Sequence, residues 1–417
     1  MERLEFVNRL LAGLLFACYA YQIGFIFVAL LGKCKRFVSF PGRHYAFLIA
    51  ARNEETVLPH LIESIRRQDY PRQLVSIFVV ADNCTDNTAE IARQAGAKVY
   101  VRQDKKLAGK GYALDFLLAA ITWEYGANRF DGYLVFDADN VLEPDYLSEM
   151  DKTFSAGYEI VTSYRNSKNY ADNWISAGYG LWFLREARTL NQARMQLGTG
   201  CAVSGTGFLF SRAVLEQMGG WPHHLLTEDI EFTVDQAIRG VKAGYCATAV
   251  FYDEQPVTFA QAWRQRLRWA KGFLQVFRRY GAGLVRETSR GSFTCFDLTC
   301  AIMPAFVISV SGILANLLAV LGTALAGGET GPAVLHVIRL ALGAYLGLWA
   351  LGALTTATEW RRIHASTRQK IFYTFTFPLF MFTYIPISLT ALFRKVTWQP
   401  IRHSQALSLA EIRKGPG

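Results

Sequence analysis

Long apolar stretches lie at both ends of the chain, with a mixed polar and apolar segment between them. Residues 9–31 carry no charge after Arg9, and they are about as long as the ~20 residues that a helix needs to cross a bilayer. A cleavable signal peptide is the alternative, but this run is long for one and no A-x-A site follows it. Three further apolar stretches follow the mixed segment: 299–326, 333–358 and 371–393. The pattern predicts one membrane helix before the mixed segment and three after it.

The mixed segment alternates between strand-like and helix-like patterns. Near-continuous apolar runs of strand length predict strands at 45–55, 75–83, 97–102 and 132–140. Apolar residues at helical spacing predict helices between these strands at 56–68, 85–96 and 110–123. Buried strands joined by helices indicate an α/β fold with parallel strands and with helices on both faces of the sheet.

These patterns divide the chain into five parts. They are an N-terminal transmembrane helix at 1–36, a soluble domain at 37–275, an interfacial helix or linker at 276–298, membrane helices at 299–393 and a basic tail at 394–417.

Basic residues in the short flanks predict the orientation in the membrane. "GKCKRF" follows the first span and 360–370 is also basic, whereas the linker 327–332 has no basic residue. We therefore expect a multi-pass protein of the cell membrane with its soluble domain in the cytosol. The basic residues 394–403 conflict with three complete C-terminal crossings. Either the last segment, which contains Pro378 and Pro386, re-enters the membrane, or the tail is an exception.

Composition narrows the class of partner. Hydrophobic residues make up 51% of the 417 residues and charged residues 19%, which is typical of a chain with membrane segments. The net charge of +10 suits anionic partners such as lipid headgroups or a nucleotide. We expect no nucleic-acid partner, because no Arg/Lys-rich run interleaved with aromatic residues is present. The seven scattered cysteines form no CxxC pair, so neither a disulfide framework nor a zinc site is indicated.

Two carboxylates end the fourth predicted strand. Asp137 and Asp139 close the stretch "YLVFDADN", and residues two apart on a strand point to the same side. Such a pair repels unless a cation lies between its oxygens, and Mg²⁺ or Mn²⁺ would take phosphate oxygens as further ligands. The alternative is a solvated strand end. Because ligands bind at the carboxyl ends of parallel strands, the sequence favours a metal and nucleotide site at this rim.

Further polar residues lie at the same predicted rim. Asp82 ends the second strand, either as a nucleotide contact or within an Asx-turn. Lys110 opens a helix, where an ammonium group and backbone N–H groups suit a phosphate, although the P-loop pattern is absent. Gly205 of "SGTGF" either permits close approach of a ligand to the backbone or belongs to a tight turn.

Two helical stretches carry candidate groups for the reaction. Asp229 of "TED" is a candidate general base, while Thr227 before it can cap the helix. Gln265 and Trp269 share one helical face, and Arg268 beside them can pair with a diphosphate. The alternative for this second stretch is a basic amphipathic helix on the membrane surface.

Taken together, these stretches resemble the membrane-embedded branch of the inverting family-2 glycosyltransferases. This branch includes cellulose, hyaluronan, chitin-oligosaccharide and poly-N-acetylglucosamine synthases. The matching stretches, all within 45–275, are "ARNEE", Asp82, "KGYAL", the D-x-D pair, "TED" and Q-x-x-R-W. The resemblance implies a GT-A-type, Rossmann-like mixed sheet with helices on both faces, joined to transmembrane helices.

The resemblance also implies a role for each motif. Asp229 would act as the catalytic base, together with the catalytic residues Asp137 and Asp139. Asp139 would bind the metal, Mg²⁺ or Mn²⁺. The donor would contact Ala51, Glu54, Asp82, Lys110, Asp137 and Arg268. The acceptor would contact Gly205, Thr206, Glu228, Gln265 and Trp269.

The activity expected from the resemblance is processive transfer of sugars from a UDP-sugar to a growing β-linked glycan, which would leave through the membrane helices. UDP-glucose and UDP-N-acetylglucosamine are the leading donors, and an accessory membrane subunit is a further candidate partner. One alternative is transfer of a single sugar to a lipid or short acceptor by the same catalytic residues. Alternatives of other classes are a membrane channel with a nucleotide-binding regulatory domain and a surface-bound nucleotidyltransferase.

Overall fold

An eight-stranded mixed sheet forms the centre of the soluble part of the computed structural model, which describes residues 2–33, 35–39, 42–401 and 403–414. The strands in chain order are β1 Tyr45–Ala51, β2 Val75–Asp82, β3 Lys98–Arg102, β4 Gly132–Asp137, β5 Val141–Leu142, β6 Ile160–Ser167, β7 Phe208–Ser211 and β8 Ala243–Asp253. Their order in the sheet is β3-β2-β1-β4-β7-β6-β8-β5. The first four strands are mutually parallel, and β7 is antiparallel to both of its neighbours. The predicted α/β class and mixed sheet are confirmed.

Helices cover both faces of the sheet, because successive strand residues point to opposite sides. Leu48 of β1 belongs to the apolar layer with α5, whereas its neighbours Phe47 and Ile49 belong to the layer with α3 and α6. The helices up to the end of the sheet are α3 Leu58–Arg66, α4 Thr88–Gln94, α5 Lys110–Tyr125, α6 Tyr146–Ser155, α7 Trp174–Arg185, a π-helix Glu186–Asn191, α8 Gln192–Leu197, α9 Arg212–Met218 and α10 Glu228–Ile238. A short 3-10 turn covers Arg72–Leu74.

Helices long and apolar enough to cross a membrane lie before and after the sheet. The helices before the sheet are α1 Glu2–Tyr19 and α2 Tyr21–Leu31. All helices after the sheet, whether apolar or not, are α11 Phe259–Ser289, α12 Phe293–Ile302, α13 Pro304–Leu325, α14 Gly331–Thr358, α15 Thr367–Phe382, α16 Tyr384–Phe393 and α17 Leu409–Lys414. Among the described residues, four stretches qualify as spans by length and composition: Leu4–Leu31, Phe293–Leu325, Gly331–Thr358 and Thr367–Phe393. The predicted membrane helices are confirmed to within several residues.

The last apolar segment bends and returns to the soluble domain. Pro378 lies inside α15, and a second helix, α16, starts after Thr383. The tail beyond α16 contacts the sheet domain, where the backbone N–H of Ser404 donates to Glu254 and Arg413 pairs with Glu143. The tail therefore packs against the sheet domain, and the re-entrant alternative for 371–393 stays a prediction. Residues 402 and 415–417 of the tail are outside the described part of the chain.

The long helix α11 connects the sheet domain to the membrane helices. It runs without a break through residue 275, at which the sequence predicted a domain boundary. Its apolar residues Leu267 and Ala270 pack against Ile387 and Ala391 of α16. Because α11 contacts both regions, it positions the membrane helices relative to the carboxyl ends of the strands.

Candidate active site

The predicted site residues converge because the strands that carry them end at one rim of the sheet. In the parallel ladder, Ala51 of β1 lies beside Ala81 of β2, and Ala50 lies beside Asp137 of β4. A cavity of about 500 Å³ opens at this rim. The predicted site residues that line it are Ala51, Glu54, Asp82, Lys110, Asp137, Asp139, Gly205, Glu228, Asp229, Gln265, Arg268 and Trp269.

Thr206 is the predicted acceptor contact that does not line this cavity. Its side chain is buried behind the wall, with 2% of the residue exposed. The hydroxyl donates to Asn140 Oδ1 at 2.5 Å and accepts from the backbone N–H of Asp137 at 2.9 Å. Thr206 therefore holds the end of β4 in place, and its neighbour Gly205 is the residue that reaches the cavity.

The two aspartates of the D-x-D pair have different surroundings. Asp137 is part-exposed in the cavity, and its Oδ1 accepts a hydrogen bond from Lys110 Nζ at 2.5 Å. Asp139 is 4% exposed, and its Oδ2 accepts from the backbone N–H of Glu254 at 2.7 Å. Burial opposes ionisation of Asp139, but His403 and Lys168 nearby hold its pKa below the ordinary value. Asp139 is thus available as an anionic oxygen ligand.

The D-x-D pair fits a divalent ion that takes its remaining ligands from a diphosphate. Among the described residues, no group of three or more His, Cys, Asp or Glu side chains is arranged to hold a metal alone. Mg²⁺ is commonly held by one or two carboxylates, while phosphates and water complete its shell. A carboxylate with one oxygen fixed by a backbone N–H, as in Asp139, suits such a partial site.

Lys110 lies where a helix N-terminus meets the rim. The residue before it, Gly109, has φ 143°, a backbone conformation that favours glycine. This turn starts α5 at Lys110 and directs the ammonium group into the cavity, where it also donates to the carbonyl of Gly205 at 2.7 Å. The lysine thereby joins α5, β4 and the "SGTGF" turn on the donor side of the site.

Asp82 is already paired within the protein. Arg102 Nη1 donates to Asp82 Oδ1 at 2.6 Å, and both side chains are buried. The adjacent Asn83 adopts φ 53°, an uncommon conformation for a residue other than glycine. The pair fixes the carboxylate at the edge of the cavity, so it presents one remaining oxygen to a ligand.

Glu228 and Asp229 begin α10 and face the cavity together. Burial raises the pKa of Glu228 to about 7, and the negative charge of Asp229 adds to this shift. Burial also raises the pKa of Asp229, whereas Lys110 and Arg268 oppose the shift. A carboxyl group with a raised pKa is a stronger base when ionised, which suits proton removal near neutral pH.

The structure corrects the predicted cap of this helix. Thr227 occupies the cap position but makes no side-chain cap hydrogen bond, and its buried Oγ1 has no partner among the described residues. Close packing explains its position. The Thr227 hydroxyl and methyl groups lie against Gly272 of α11 and leave no room for a larger side chain at that glycine.

The Q-x-x-R-W residues of α11 form the opposite wall. Arg268 Nη1 donates to the carbonyl of Leu226 at 2.7 Å. The Trp269 ring packs edge-on against Tyr179, with ring centroids 5.7 Å apart. Gln265 Oε1 is buried and has no hydrogen-bond partner among the described residues. All three side chains line the cavity, so α11 contributes to the site and does not merely lie on a membrane surface.

The C-terminal tail contributes residues that the sequence did not reveal. His403 Nδ1 lies 2.9 Å from Glu54 Oε1, and the Trp398 ring lies 5.2 Å from the Arg52 guanidinium. Burial opposes the charge on His403, but Asp139 and Glu54 raise its pKa to about 10. A contact across 349 positions leaves no local signal in the sequence. The tail therefore covers the part of the cavity beside Arg52 and Glu54.

The cavity also extends away from the rim, between the membrane helices and α7. Its far wall includes the apolar residues Leu190, Leu298, Ile302, Leu348 and Leu351. Two adjacent charged residues at the end of α7, Arg185 and Glu186, line the same part. The sequence gave no reason to select this pair, because it lies outside the recognised motifs.

Comparison with known proteins settles the family. The model described as "Glycosyltransferase like family 2" matches residues 41–272, which is more than half of the chain and contains every predicted site residue.

The chain belongs to glycosyltransferase family 2.

The curated relatives of this family-2 glycosyltransferase include several activities. The probable glycosyltransferase YdaM of Bacillus subtilis is 26% identical over 289 residues, which are 64% of each chain. A β-monoglucosyldiacylglycerol synthase of Synechocystis is 28% identical, across 58% of this chain and 50% of the relative. A poly-β-1,6-N-acetyl-D-glucosamine synthase of Staphylococcus epidermidis is 24% identical, across 56% and 55%. The chain thus matches about half to two thirds of the length of these relatives.

A solved structure supports the fold. The mannosyltransferase PcManGT of Pyrobaculum calidifontis, solved with GDP-Man and Mn²⁺, superposes with a TM-score of 0.59 and 18% identity. The match covers 93% of this family-2 glycosyltransferase and 99% of the other chain. The GT-A-type fold is therefore confirmed. The family match over residues 41–272 confirms the assignment as a glycosyltransferase.

Proposed function

We propose that this family-2 glycosyltransferase transfers one sugar from a UDP-sugar to the hydroxyl group of a membrane lipid, with inversion at the anomeric carbon. One observation carries the proposal: a single cavity joins the acidic rim of the sheet to an apolar wall between the membrane helices. A donor that binds at the rim and a lipid that enters from the membrane would meet beside Asp229.

The donor would bind at the carboxyl ends of the parallel strands. Glu54 and Asp82 lie at the side of the cavity suited to the uridine, and Asp137 faces the position of the sugar and diphosphate. Lys110 and Arg268 are the cationic side chains of the lining that face this region from α5 and α11. Charge-assisted hydrogen bonds from these two groups would orient the diphosphate.

The residues of the rim also suit a metal-dependent reaction. Asp139, with Asp137 beside it, would hold Mg²⁺ or Mn²⁺, and the ion when bound would supply positive charge to the departing diphosphate. Lys110 and Arg268 would stabilise the same developing charge from positions fixed by the protein. The mannosyltransferase with the same fold was solved with Mn²⁺, which supports the choice of a divalent ion.

Asp229 would act as the general base. Its carboxylate would remove the proton of the acceptor hydroxyl while the acceptor oxygen bonds to the anomeric carbon. The bond between that carbon and the diphosphate oxygen breaks at the same time, and UDP leaves with the electron pair. An α-linked donor would give a β-linked product. General-base assistance of this kind contributes roughly 10²–10⁴-fold to the rate.

The chemistry of the far wall favours a lipid acceptor over a glycan. Leu190, Leu298, Ile302, Leu348 and Leu351 offer no hydrogen bonds to sugar hydroxyl groups, but they suit acyl chains. The β-monoglucosyldiacylglycerol synthases among the relatives carry a lipid acceptor in their name, which supports the same choice.

Processive synthesis of a β-linked glycan is the second candidate. The poly-β-1,6-N-acetyl-D-glucosamine synthases among the relatives favour it, and it would use the same catalytic residues. The Trp269 ring at the cavity wall could then stack on the acceptor sugar. An accessory membrane subunit would belong to this alternative, as would export between the membrane helices.

Product analysis distinguishes the two candidates. The purified chain in nanodiscs would receive radiolabelled UDP-glucose or UDP-N-acetylglucosamine, Mn²⁺ or Mg²⁺, and 1,2-dioleoylglycerol. We expect label in the organic phase, in a product with one sugar. Label in an aqueous product that lengthens with time would contradict lipid transfer and support the processive alternative. A matched sample of the Asp229→Asn variant shows the background.

A further inference from the structure

The membrane end of the cavity contains a charged group that the proposed chemistry at the rim does not use. Arg185 ends α7, and its Nη2 donates to Gln22 Oε1 of α2 at 2.7 Å. Its Nε is buried and has no hydrogen-bond partner among the described residues. An unpaired buried donor is unfavourable, so the arrangement suits a ligand that supplies an acceptor oxygen.

A second arginine in the same wall, Arg194, differs from Arg185 in its contacts within the protein. Arg194 also lines the cavity, but its Nε and Nη2 donate to the two carboxylate oxygens of Asp297 at 2.6 and 3.1 Å. Asn191 accepts from the remaining Nη1 at 3.0 Å. Each guanidinium nitrogen of Arg194 therefore has a partner from the π-helix or α12, whereas Arg185 Nε has none among the described residues.

A π-helix brings a carboxyl group to the same place. Residues Glu186–Asn191 follow α7 with π geometry, which is rare and is often found at functional sites. Glu186 lines the cavity, and its Oε2 accepts from the Ser204 hydroxyl at 3.1 Å. Thr189 Oγ1 donates to the carbonyl of Arg185 at 2.6 Å, which satisfies backbone that an ordinary helical turn would pair.

The charges of this cluster decide the class of ligand. Arg194 pairs with Asp297, and Arg165, which also lines the cavity, pairs with Asp253, so Arg185 and Glu186 remain as one donor-rich and one acceptor-bearing group. A phosphate would have to approach Glu186, and Glu228 and Asp229 also line the cavity. A neutral group with hydroxyl and ester oxygens can accept from the guanidinium and donate to the carboxylate.

We propose that Arg185, Glu186 and Gln22 form the headgroup subsite for an uncharged lipid alcohol, of which diacylglycerol is the simplest, with the acyl chains between α12 and α14. The inference rests on the proposed function, and it names the acceptor class and the residues that recognise it. The apolar side chains beside the cluster belong to these two helices: Leu298 and Ile302 of α12, and Leu348 and Leu351 of α14. The subsite therefore orients the free hydroxyl of the lipid toward Asp229.

A binding experiment tests the subsite without sugar transfer. The full chain in phosphatidylcholine nanodiscs would be photolabelled with a diazirine-bearing diacylglycerol, in competition with 1,2-dioleoylglycerol or dioleoylphosphatidic acid. We expect dioleoylglycerol to compete well and phosphatidic acid poorly. In Arg185→Met the affinity for dioleoylglycerol should fall roughly ten- to hundredfold, the effect of one hydrogen bond from a charged donor. The affinity of Arg185→Lys, which retains the charge, should lie between those of the wild type and Arg185→Met.

Controls separate a local effect from misfolding. Arg278→Met removes an exposed arginine of α11 outside the cavity lining, and it should photolabel like the wild type. Retained UDP binding by Arg185→Met shows that the variant is folded. Equal photolabelling of the wild type and Arg185→Met, or stronger competition by phosphatidic acid, would overturn the inference.

The same samples separate this inference from the proposed function. Sugar transfer to dioleoylglycerol with photolabelling that does not depend on Arg185 would overturn the subsite and leave the function. Arg185-dependent photolabelling without any transfer to dioleoylglycerol would support the subsite and overturn the function. When transfer occurs, the KM for dioleoylglycerol should rise in Arg185→Met by the same factor as the loss of affinity.

Discussion

The two ends of the cavity are built from different chemistry. At the donor end, carboxylates on strand ends lie among cations, as in the pairs Asp137–Lys110 and Asp82–Arg102. At the membrane end, apolar residues surround one small cluster in which Arg185 retains an unpaired donor. Under the proposed function the two ends would recognise donor and acceptor separately, and enzymes with the same rim could act on different acceptors.

The largest effect should come from the donor end. In Asp139→Ala the proposed metal ligand is lost, so the charge of the departing diphosphate is poorly stabilised. We expect transfer to fall below detection, at least ~10³-fold, in an assay of UDP release. The control Asp69→Ala removes an exposed carboxylate away from the cavity and should keep normal turnover. Near-normal turnover by a folded Asp139→Ala variant would contradict the role of the rim.

The second-largest effect should come from Asp229, where the two ends of the cavity meet. Asp229→Asn retains the shape of the side chain but removes the base, so the transfer rate should fall roughly 10²–10⁴-fold. UDP affinity, measured by calorimetry, should change by less than about threefold, because Asp229 does not contact the proposed uridine side. Equal loss of UDP affinity and rate would show that Asp229 serves the donor and not the acceptor.

The third effect is a difference in folding stability between variants of Arg194 and Arg185, the two arginines at the membrane end of the cavity. Arg194→Met leaves the buried Asp297 carboxylate without its partner, which should cost about 3–5 kcal/mol of folding stability. Arg185→Met breaks one hydrogen bond to Gln22 and should lower stability far less. Thermal unfolding of the reconstituted chain measures both. Equal destabilisation by the two variants would mean that Arg185 is structural as well.

The smallest effect is a change in pH dependence. Burial raises the pKa values of Glu228 and Asp229, and a base must be ionised to act, so kcat/KM should rise with pH through a range well above that of an ordinary carboxyl group. Lys110 and Arg268 face the same pair and oppose the shift. In Glu228→Gln no second carboxyl group competes with Asp229 for ionisation, so the acid limb should move to lower pH.

A pH–rate series on the two proteins checks this shift. At a pH below the wild-type midpoint, Glu228→Gln should keep a larger fraction of its maximal rate than the wild type does. An acid limb that stays in place would show that the two carboxyl groups do not share the titration.

Local patterns were sufficient to predict the first four strands and the rim at which they end. The apolar runs that end at Ala51, Asp82 and Asp137 are similar in length, and each ends at or beside polar residues. Parallel strands bring such ends together at one edge of the sheet. The same argument placed Lys110 near the D-x-D pair. Twelve of the thirteen predicted site residues line the cavity, and the remaining one, Thr206, lies one residue beyond Gly205 in the wall.

Long-range contacts could not be predicted in this way. The hydrogen bond between His403 and Glu54 joins residues 349 positions apart, and no periodicity in the tail indicates where it lies. The ion pair between Arg194 and Asp297 is likewise a contact that no local sequence pattern indicates. The lack of a partner for Arg185 Nε among the described residues becomes apparent only when all such contacts are known. The membrane end of the site therefore required the three-dimensional structure.

The central claim is that one cavity holds the donor at the rim and the lipid between the membrane helices. Cryo-electron microscopy of the Asp229→Asn variant in nanodiscs with UDP, Mn²⁺ and 1,2-dioleoylglycerol tests it most directly. We predict the diphosphate between Asp139 and Arg268, and the lipid headgroup at Arg185 with its hydroxyl directed toward residue 229. UDP at another surface, or a rim closed off from the helices that contact the lipid, would contradict the account.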